Sequence, residues 1–348
     1  MGGVETHVRE VVRRLAEHDV QTAVLTADPT GELAPETHVD GVPVRRVRAW
    51  PRHGDLFFAP AVATQIRDGN WDLVHIQSYH TLVAPLAMLA AARAGVPYVL
   101  TFHAGGHSSP LRTAIRGPQL LALRPLLARA ERLVAVAAWE VEHYGRLLRL
   151  PPERFEVIPN GGDLPAPADL PTPEPDDVLI VSMGRLERYK GHQHAIAALP
   201  YVVRELPAAR LWVAGDGPYR PQLERLAAEL GVAERVEIAS VTDRGALARR
   251  LAGARVVTML SDFETHPIGA LEAMALGVPV VVANNSGLAE LADKGLATPV
   301  IPARGPSHVA AALIEQVRSP RRVRGVTLPT WDDCAARLAT LYRLTARR

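Results

Sequence analysis

The chain has a single cysteine, Cys334, so neither a disulfide scaffold nor a cysteine-based zinc site can be built from it. It begins Met1-Gly2-Gly3-Val4-Glu5-Thr6, without the basic and apolar stretches of a secretory signal. Its longest apolar run, Leu82 to Val99, is broken by Arg93, Gly95 and Pro97. That run reads as a helix followed by a strand rather than a membrane span. Charge is nearly balanced, at a formal +2, which does not suggest a dedicated nucleic-acid binder. Lysine is almost absent: of 39 basic residues only Lys190 and Lys294 are lysines. In a background where Arg replaces Lys, a retained Lys carries information, because the two cations differ in shape and hydration. A cytoplasmic, two-domain protein is the expectation left by these absences.

What is present fits that expectation. A length of 348 residues suits two domains, and 48% apolar residues supply their cores. Short β-branched runs alternate with amphipathic stretches. In the first half the strand candidates are 21–26, 42–47, 72–76, 98–102, 132–136 and 155–158. In the second they are 178–183, 210–214, 236–239, 255–260, 278–283 and 297–301. Apolar runs that do not alternate predict strands covered on both faces, hence parallel sheets between helices. Gly161 to Asp177 holds five prolines and four aspartates in seventeen residues and reads as a linker. The predicted division is an N-terminal domain over 1–160, a linker over 161–177, a C-terminal domain over 178–328 and a final helix over 329–348 that crosses back. In doubly wound sheets ligands bind at the carboxyl ends of strands, so a cleft between the two domains is the expected site.

Two motifs carry chemistry. After the strand 178–183 comes Gly184-Arg185-Leu186-Glu187-Arg188-Tyr189-Lys190-Gly191-His192, and then a helix. Two cations beside a helix N-terminus suit a diphosphate. A solvated basic loop is the plainer alternative. The second motif is Glu264 and Glu272, with seven residues between them. Glu264 falls in a loop after a strand and Glu272 about one turn into the next helix. Two carboxylates on one side of a βα unit can accept from vicinal diols, as an acidic residue does for ribose in dinucleotide folds. Taken alone, an ordinary helix-surface Glu and a loop Glu would explain the spacing.

Seven segments in order resemble the retaining GT-B glycosyltransferases of family 4. They are Gly2-Gly3-Val4-Glu5-Thr6-His7-Val8, Val157-Ile158-Pro159-Asn160-Gly161-Gly162-Asp163, Gly184-Arg185 to Lys190-Gly191, Gly215-Asp216-Gly217-Pro218, Glu264 to Glu272-Ala273-Met274-Ala275, Gly287-Leu288-Ala289-Glu290, and Trp331 to Tyr342. The resemblance implies an α/β fold of two Rossmann-like, doubly wound domains facing across a cleft. It implies a nucleotide-sugar donor, most often a UDP-sugar, and a hydroxyl-bearing small-molecule or lipid acceptor. Arg185 and Lys190 would bind the diphosphate, Glu272 the ribose and Glu264 a donor-sugar hydroxyl. His103 would lie beside the anomeric carbon, and Gly2 and Gly3 would admit the phosphate. Gly184, Gly215, Gly217, Ile238, Pro267, Ile268 and Gly269 would complete the donor site. The implied route is front-face substitution, with no metal or other cofactor. A GT-B-type nucleotide-sugar epimerase and a non-catalytic nucleotide-sugar-binding partner are the alternatives. A Rossmann dehydrogenase is excluded, since Gly215-x-Gly217-x-x-Arg220 lacks the third glycine.

Other readings remain open at this level. His75, His80 and His107 are candidates to line an acceptor pocket, with a plain cleft-lining role the alternative for the first two. No histidine spacing matches a metal site. The stretch Leu111 to Leu133 carries Arg112, Arg116, Arg124, Arg129 and Arg132, which fits either peripheral membrane contact or a solvated helix face. In the family a first strand precedes the Gly-Gly loop, and its absence here implies an N-terminal sheet short of that strand.

Overall fold

The computed structural model describes residues 3–52, 57–103, 110–162, 164, 177–301, 305–323 and 325–346. The chain divides into two compact units. One comprises Met1–Ala104, Leu111–Gly161 and Pro329–Arg348, and the other contains Gly162–Leu328.

The first unit opens with helix α1 (Gly3–Leu15), whose buried residues His7, Val11 and Leu15 recur every four positions on one stripe. Next come β1 (Val24–Asp28), β2 (Glu36–Val39) and β3 (Val42–Arg48), which form one sheet in the order β1-β3-β2. β1 and β3 are parallel, whereas β2 and β3 form an antiparallel hairpin. Its two-residue loop is Asp40-Gly41, both at positive φ (51° and 81°). Such a turn matches the natural twist of paired strands, and Asp-Gly is its characteristic sequence. The sequence pattern predicts parallel sheets and marks no strand at 36–39, so the antiparallel β2 is an addition to it. The remaining elements are α2 (Ala61–Asp68), β4 (Val74–Gln77), α3 (Val83–Ala94), β5 (Tyr98–Thr101), α4 (Pro110–Leu127), β6 (Arg132–Ala135), α5 (Ala138–Leu148) and β7 (Phe155–Val157). β4 to β7 form a second, all-parallel sheet in sequential order. Among the described residues the free edges of β1 and β4 do not pair with each other or with another strand.

The second unit is a regular doubly wound domain. Its elements are β8 (Val178–Met183), α6 (His192–Glu205), β9 (Ala209–Ala214), α7 (Arg220–Glu229), β10 (Val236–Ala239), α8 (Arg244–Ala252), β11 (Val256–Met259), α9 (Ile268–Ala275), β12 (Val280–Ala283), α10 (Ser286–Asp293), β13 (Thr298–Val300) and α11 (Pro306–Arg318). The six strands lie in the order β10-β9-β8-β11-β12-β13, all parallel. Nearly every side chain of β8, β11 and β12 is buried, as strands covered on both faces require. The chain runs outward from β8 through β9 to β10, then returns to place β11 on the other side of β8. The switch point is therefore between β8 and β11, and the loops after both strands leave the sheet there.

The last helix, α12 (Trp331–Thr345), is part of the first unit. A reciprocal capping box of Thr330 and Asp333 starts it. Trp331, Cys334, Leu338 and Leu341 pack with Val11 and Leu15 of α1, with Val99 and Val134 of the sheet, and with Ile158 just after β7. Burial raises the Cys334 thiol pKa to about 11, so it behaves as a small apolar group.

Candidate active site

In the second unit the loop after β8 and the loop after β11 meet. Lys190 Nζ lies 2.6 Å from Glu264 Oε2, each side chain only 15% exposed. Ser261 Oγ donates to the same carboxylate oxygen at 3.2 Å. The Glu264 backbone is fixed on both sides: its N–H donates to Ser286 Oγ (2.9 Å) and its C=O accepts from Gly287 N–H (2.7 Å). Burial alone would lower the Lys190 pKa, but the Glu264 carboxylate outweighs it and leaves the pKa raised. The ammonium is therefore fully charged at neutral pH. Arg185, at the mouth of the same loop, is 62% exposed, with its guanidinium 3.6 Å from Glu187.

Buried His192 holds this loop from below. Its Nε2–H donates to the Arg185 carbonyl (3.1 Å), and its Nδ1 accepts from Ser182 Oγ–H (2.8 Å). Burial lowers its pKa to about 4, partly offset by the Arg185 carbonyl, so the ring is neutral. Glycines let the loops approach. Gly191 sits at φ +79°, and a Cβ there would fall 2.0 Å from the Leu260 carbonyl oxygen. A Cβ on Gly215 would fall 1.9 Å from the Gly184 carbonyl oxygen. Gly217 packs on Leu186 and Gly269 on Met183. Pro267, Ile268 and Gly269 form the start of α9, and Ile238 is a half-buried residue of β10.

Glu272 lies in α9 and is only 3% exposed. Its carboxylate is paired with Arg244, the first residue of α8. Asp243 caps α8 by accepting from Ala246 N–H, which sets where Arg244 emerges. Nothing in the spacing of the sequence singled out Arg244.

A separate group forms in the first unit. His103 follows β5 with φ +44°, a left-handed conformation that costs about 1 kcal/mol outside glycine. Its Nε2 lies 2.7 Å from Gln77 Oε1, and the His7 ring meets it edge-on at 4.5 Å. Burial holds His103 well below the usual histidine range, and coupling to His7 adds to the effect. Burial likewise lowers His7 to about 4, partly offset by the Asn160 side chain. His7 was not singled out in the sequence, although it shares the stripe of Val11 and Leu15. Gly3, by contrast with Gly191, meets no protein atom within 4 Å of a Cβ, so packing does not require glycine there. His75 bonds to Tyr342 Oη (2.5 Å) and Thr101 Oγ1 (2.8 Å), which uses both ring nitrogens to join two strands to α12. His80 is half-buried against Tyr79. Gly2 and His107 lie outside the described residues.

Two comparisons decide the family. The family described as "Glycosyl transferase 4-like domain" matches residues 2–161, and "Glycosyl transferases group 1" matches residues 170–324. The D-inositol 3-phosphate glycosyltransferase of Thermobispora bispora is 30% identical, covering 98% of this chain and 89% of that protein. The chain belongs to the GT-B glycosyltransferases. D-inositol 3-phosphate glycosyltransferase 1 of Catenulispora acidiphila is 31% identical, over 98% of this chain and 90% of that one. In fold this glycosyltransferase is similar to sucrose-phosphate synthase from Thermosynechococcus elongatus, with a TM-score of 0.76, 21% identity, and 99% and 93% of the two chains covered. It is also similar to HepE from Anabaena, solved with UDP-glucose, with a TM-score of 0.67, 19% identity, and 98% and 92% covered.

Among the described residues of this glycosyltransferase, no group of three or more His, Cys, Asp or Glu stands close enough to hold a metal ion. No described helix is long and apolar enough to cross a membrane. The basic stretch after Leu111 is helical only to Leu127. Within it Arg124 is turned to the Leu148 carbonyl (2.6 Å), and Arg132 begins β6.

Proposed function

We propose that this glycosyltransferase transfers a sugar, with retention, from a UDP-sugar to a hydroxyl of a small-molecule or lipid acceptor. The observation that carries the reading is the Lys190–Glu264 pair at the switch point of the second unit, beside exposed Arg185. A fixed ammonium and an exposed guanidinium at the carboxyl ends of parallel strands suit the diphosphate of a donor. Glu272 is assigned to the ribose hydroxyls and Glu264 to a donor-sugar hydroxyl. His103 and Gly3 are assigned to the sugar and phosphate from the first unit.

The step breaks the bond between the anomeric carbon and the β-phosphate oxygen and forms the bond to the acceptor oxygen on the same face. The departing β-phosphate takes the acceptor's proton, and Arg185 and Lys190 stabilise the charge that develops on it. In this reading Glu264 is no nucleophile. Its Oε2 is held by Lys190 and Ser261, and the carboxylate is assigned to accept from a sugar hydroxyl rather than to attack the anomeric carbon as in a two-carboxylate glycosidase. With two cations on the diphosphate, no metal is called for.

UDP is favoured because HepE, of the same fold, was solved with UDP-glucose. The curated relatives, by their names, act on D-inositol 3-phosphate, so a phosphorylated cyclitol is the first acceptor to assay. Calorimetry against a panel of nucleotide sugars, followed by NMR of the product's anomeric centre, tests the proposal. UDP-sugar binding and a product with the donor's anomeric configuration are expected, with turnover unaffected by EDTA. Failure to bind any nucleotide sugar, or an inverted product, refutes it.

A further inference from the structure

We propose that Gln77 is a positioning residue: its side-chain carbonyl holds the His103 ring with the proton on Nε2, leaving Nδ1 as the one lone pair the ring can offer a substrate hydroxyl. The proposal rests on the transfer reading given above.

The geometry begins with strand register. β4 and β5 are parallel and Gln77 pairs with Thr101, so the two strands end side by side. Each chain then leaves its strand through a left-handed residue, Ser78 at φ +71° and His103 at φ +44°. Neither is glycine, so both conformations cost energy that the surroundings must supply. The Ser78 N–H donates to the Thr101 carbonyl at 2.8 Å and pins the first turn. The 2.7 Å contact from His103 Nε2 to Gln77 Oε1 pins the second. An amide carbonyl only accepts, so the imidazole must donate from Nε2. A neutral ring has one N–H, and Nδ1 then keeps its lone pair. His7, edge-on at 4.5 Å, limits rotation of the ring from another side. His75 is occupied by Tyr342 and Thr101 and does not compete for Gln77.

Two variants and one spectroscopic readout test this on the full chain. Gln77→Met keeps the length and removes the acceptor, whereas Gln77→Glu keeps an acceptor oxygen. Long-range proton–nitrogen spectra of histidine-labelled protein report which ring nitrogen is protonated, with His103 identified by the signals lost in His103→Gln. The wild type should show the Nε2–H form, and Gln77→Met should lose that preference. Its kcat should fall about 10- to 100-fold, in the range seen when an outer partner of a site residue is removed. Its affinity for UDP should stay within about twofold, under 0.5 kcal/mol. Gln77→Glu should keep Nε2 protonated and recover most of the lost kcat. An Nδ1–H ring in the wild type overturns the proposal. So does a Gln77→Met protein with unchanged tautomer and kcat. Absence of transfer by the wild type refutes the transfer reading instead, and the spectra then decide Gln77's hold on the ring by themselves.

Discussion

Replacing Lys190 with methionine separates what the Lys190–Glu264 pair does for the fold from what it does for a ligand. The ammonium is 2.6 Å from the carboxylate and both side chains are 15% exposed. Removing one partner of a fully buried pair costs about 3–5 kcal/mol. Here Glu264 keeps the Ser261 hydroxyl and some water, so about 2–3 kcal/mol is expected, read as a fall in Tm of about 5–10 °C. In Lys190→Met/Glu264→Gln the uncompensated charge is gone, and stability should return to within about 1 kcal/mol of wild type. Ligand binding should behave otherwise. A charge-assisted contact to a diphosphate is worth about 1.5–3 kcal/mol, so UDP should bind roughly 10- to 150-fold more weakly to Lys190→Met. The double variant should not regain it, since the ammonium is still missing. Calorimetry with UDP and thermal melts on the four proteins of the cycle give both quantities. Recovery of affinity together with stability would show that Lys190 merely supports Glu264, and would refute the diphosphate assignment.

Four further outcomes follow from the same packing. His7 and His192 have folded pKa values near 4, below the ordinary 6.5, because both are buried neutral. The unfolded chain therefore binds more protons between pH 6.5 and 4, and stability should drop as pH falls through that window, by about 2 kcal/mol per histidine at pH 5; an unchanged urea midpoint between pH 7.5 and 5 would contradict it. Gly191→Ala places a Cβ 2.0 Å from the Leu260 carbonyl at φ +79° and should cost about 2–4 kcal/mol. Gly3→Ala meets nothing within 4 Å and should change stability by less than about 0.5 kcal/mol while slowing transfer, so equal losses of stability in the two would remove the reason for placing Gly3 at the phosphate. Arg244→Gln takes the counter-charge from buried Glu272 and should lower stability by about 1–3 kcal/mol and weaken UDP binding, the latter checked by the same calorimetry.

Local features of the sequence were legible wherever one short segment carries the whole signal. The helix-strand reading of 82–99 matches α3 and β5, because Gly95 can take the left-handed cap that ends the helix. Glu264 and Glu272 fall in the loop and helix that their spacing implied. The β2–β3 hairpin was readable from Asp40-Gly41, but its short, exposed strand β2 carries no buried apolar run to reveal it. Arg244 and Gln77 are a different matter. Each is an ordinary polar residue in its own segment and gains meaning from a partner 28 or 26 positions away.

The sequence by itself determined the doubly wound architecture of the second unit, since non-alternating apolar strands between amphipathic helices admit little else. It also determined the family, through motifs whose order spans the chain. Only the tertiary structure decided how the charges are used. It pairs Lys190 with Glu264 across 74 residues, sets Arg244 on Glu272, and brings His7 against His103. It also gives His75 a structural place between Tyr342 and Thr101. Periodicity specifies which face of an element is buried. Electrostatic pairing depends on distances between elements, and those distances are set by sheet order and loop packing.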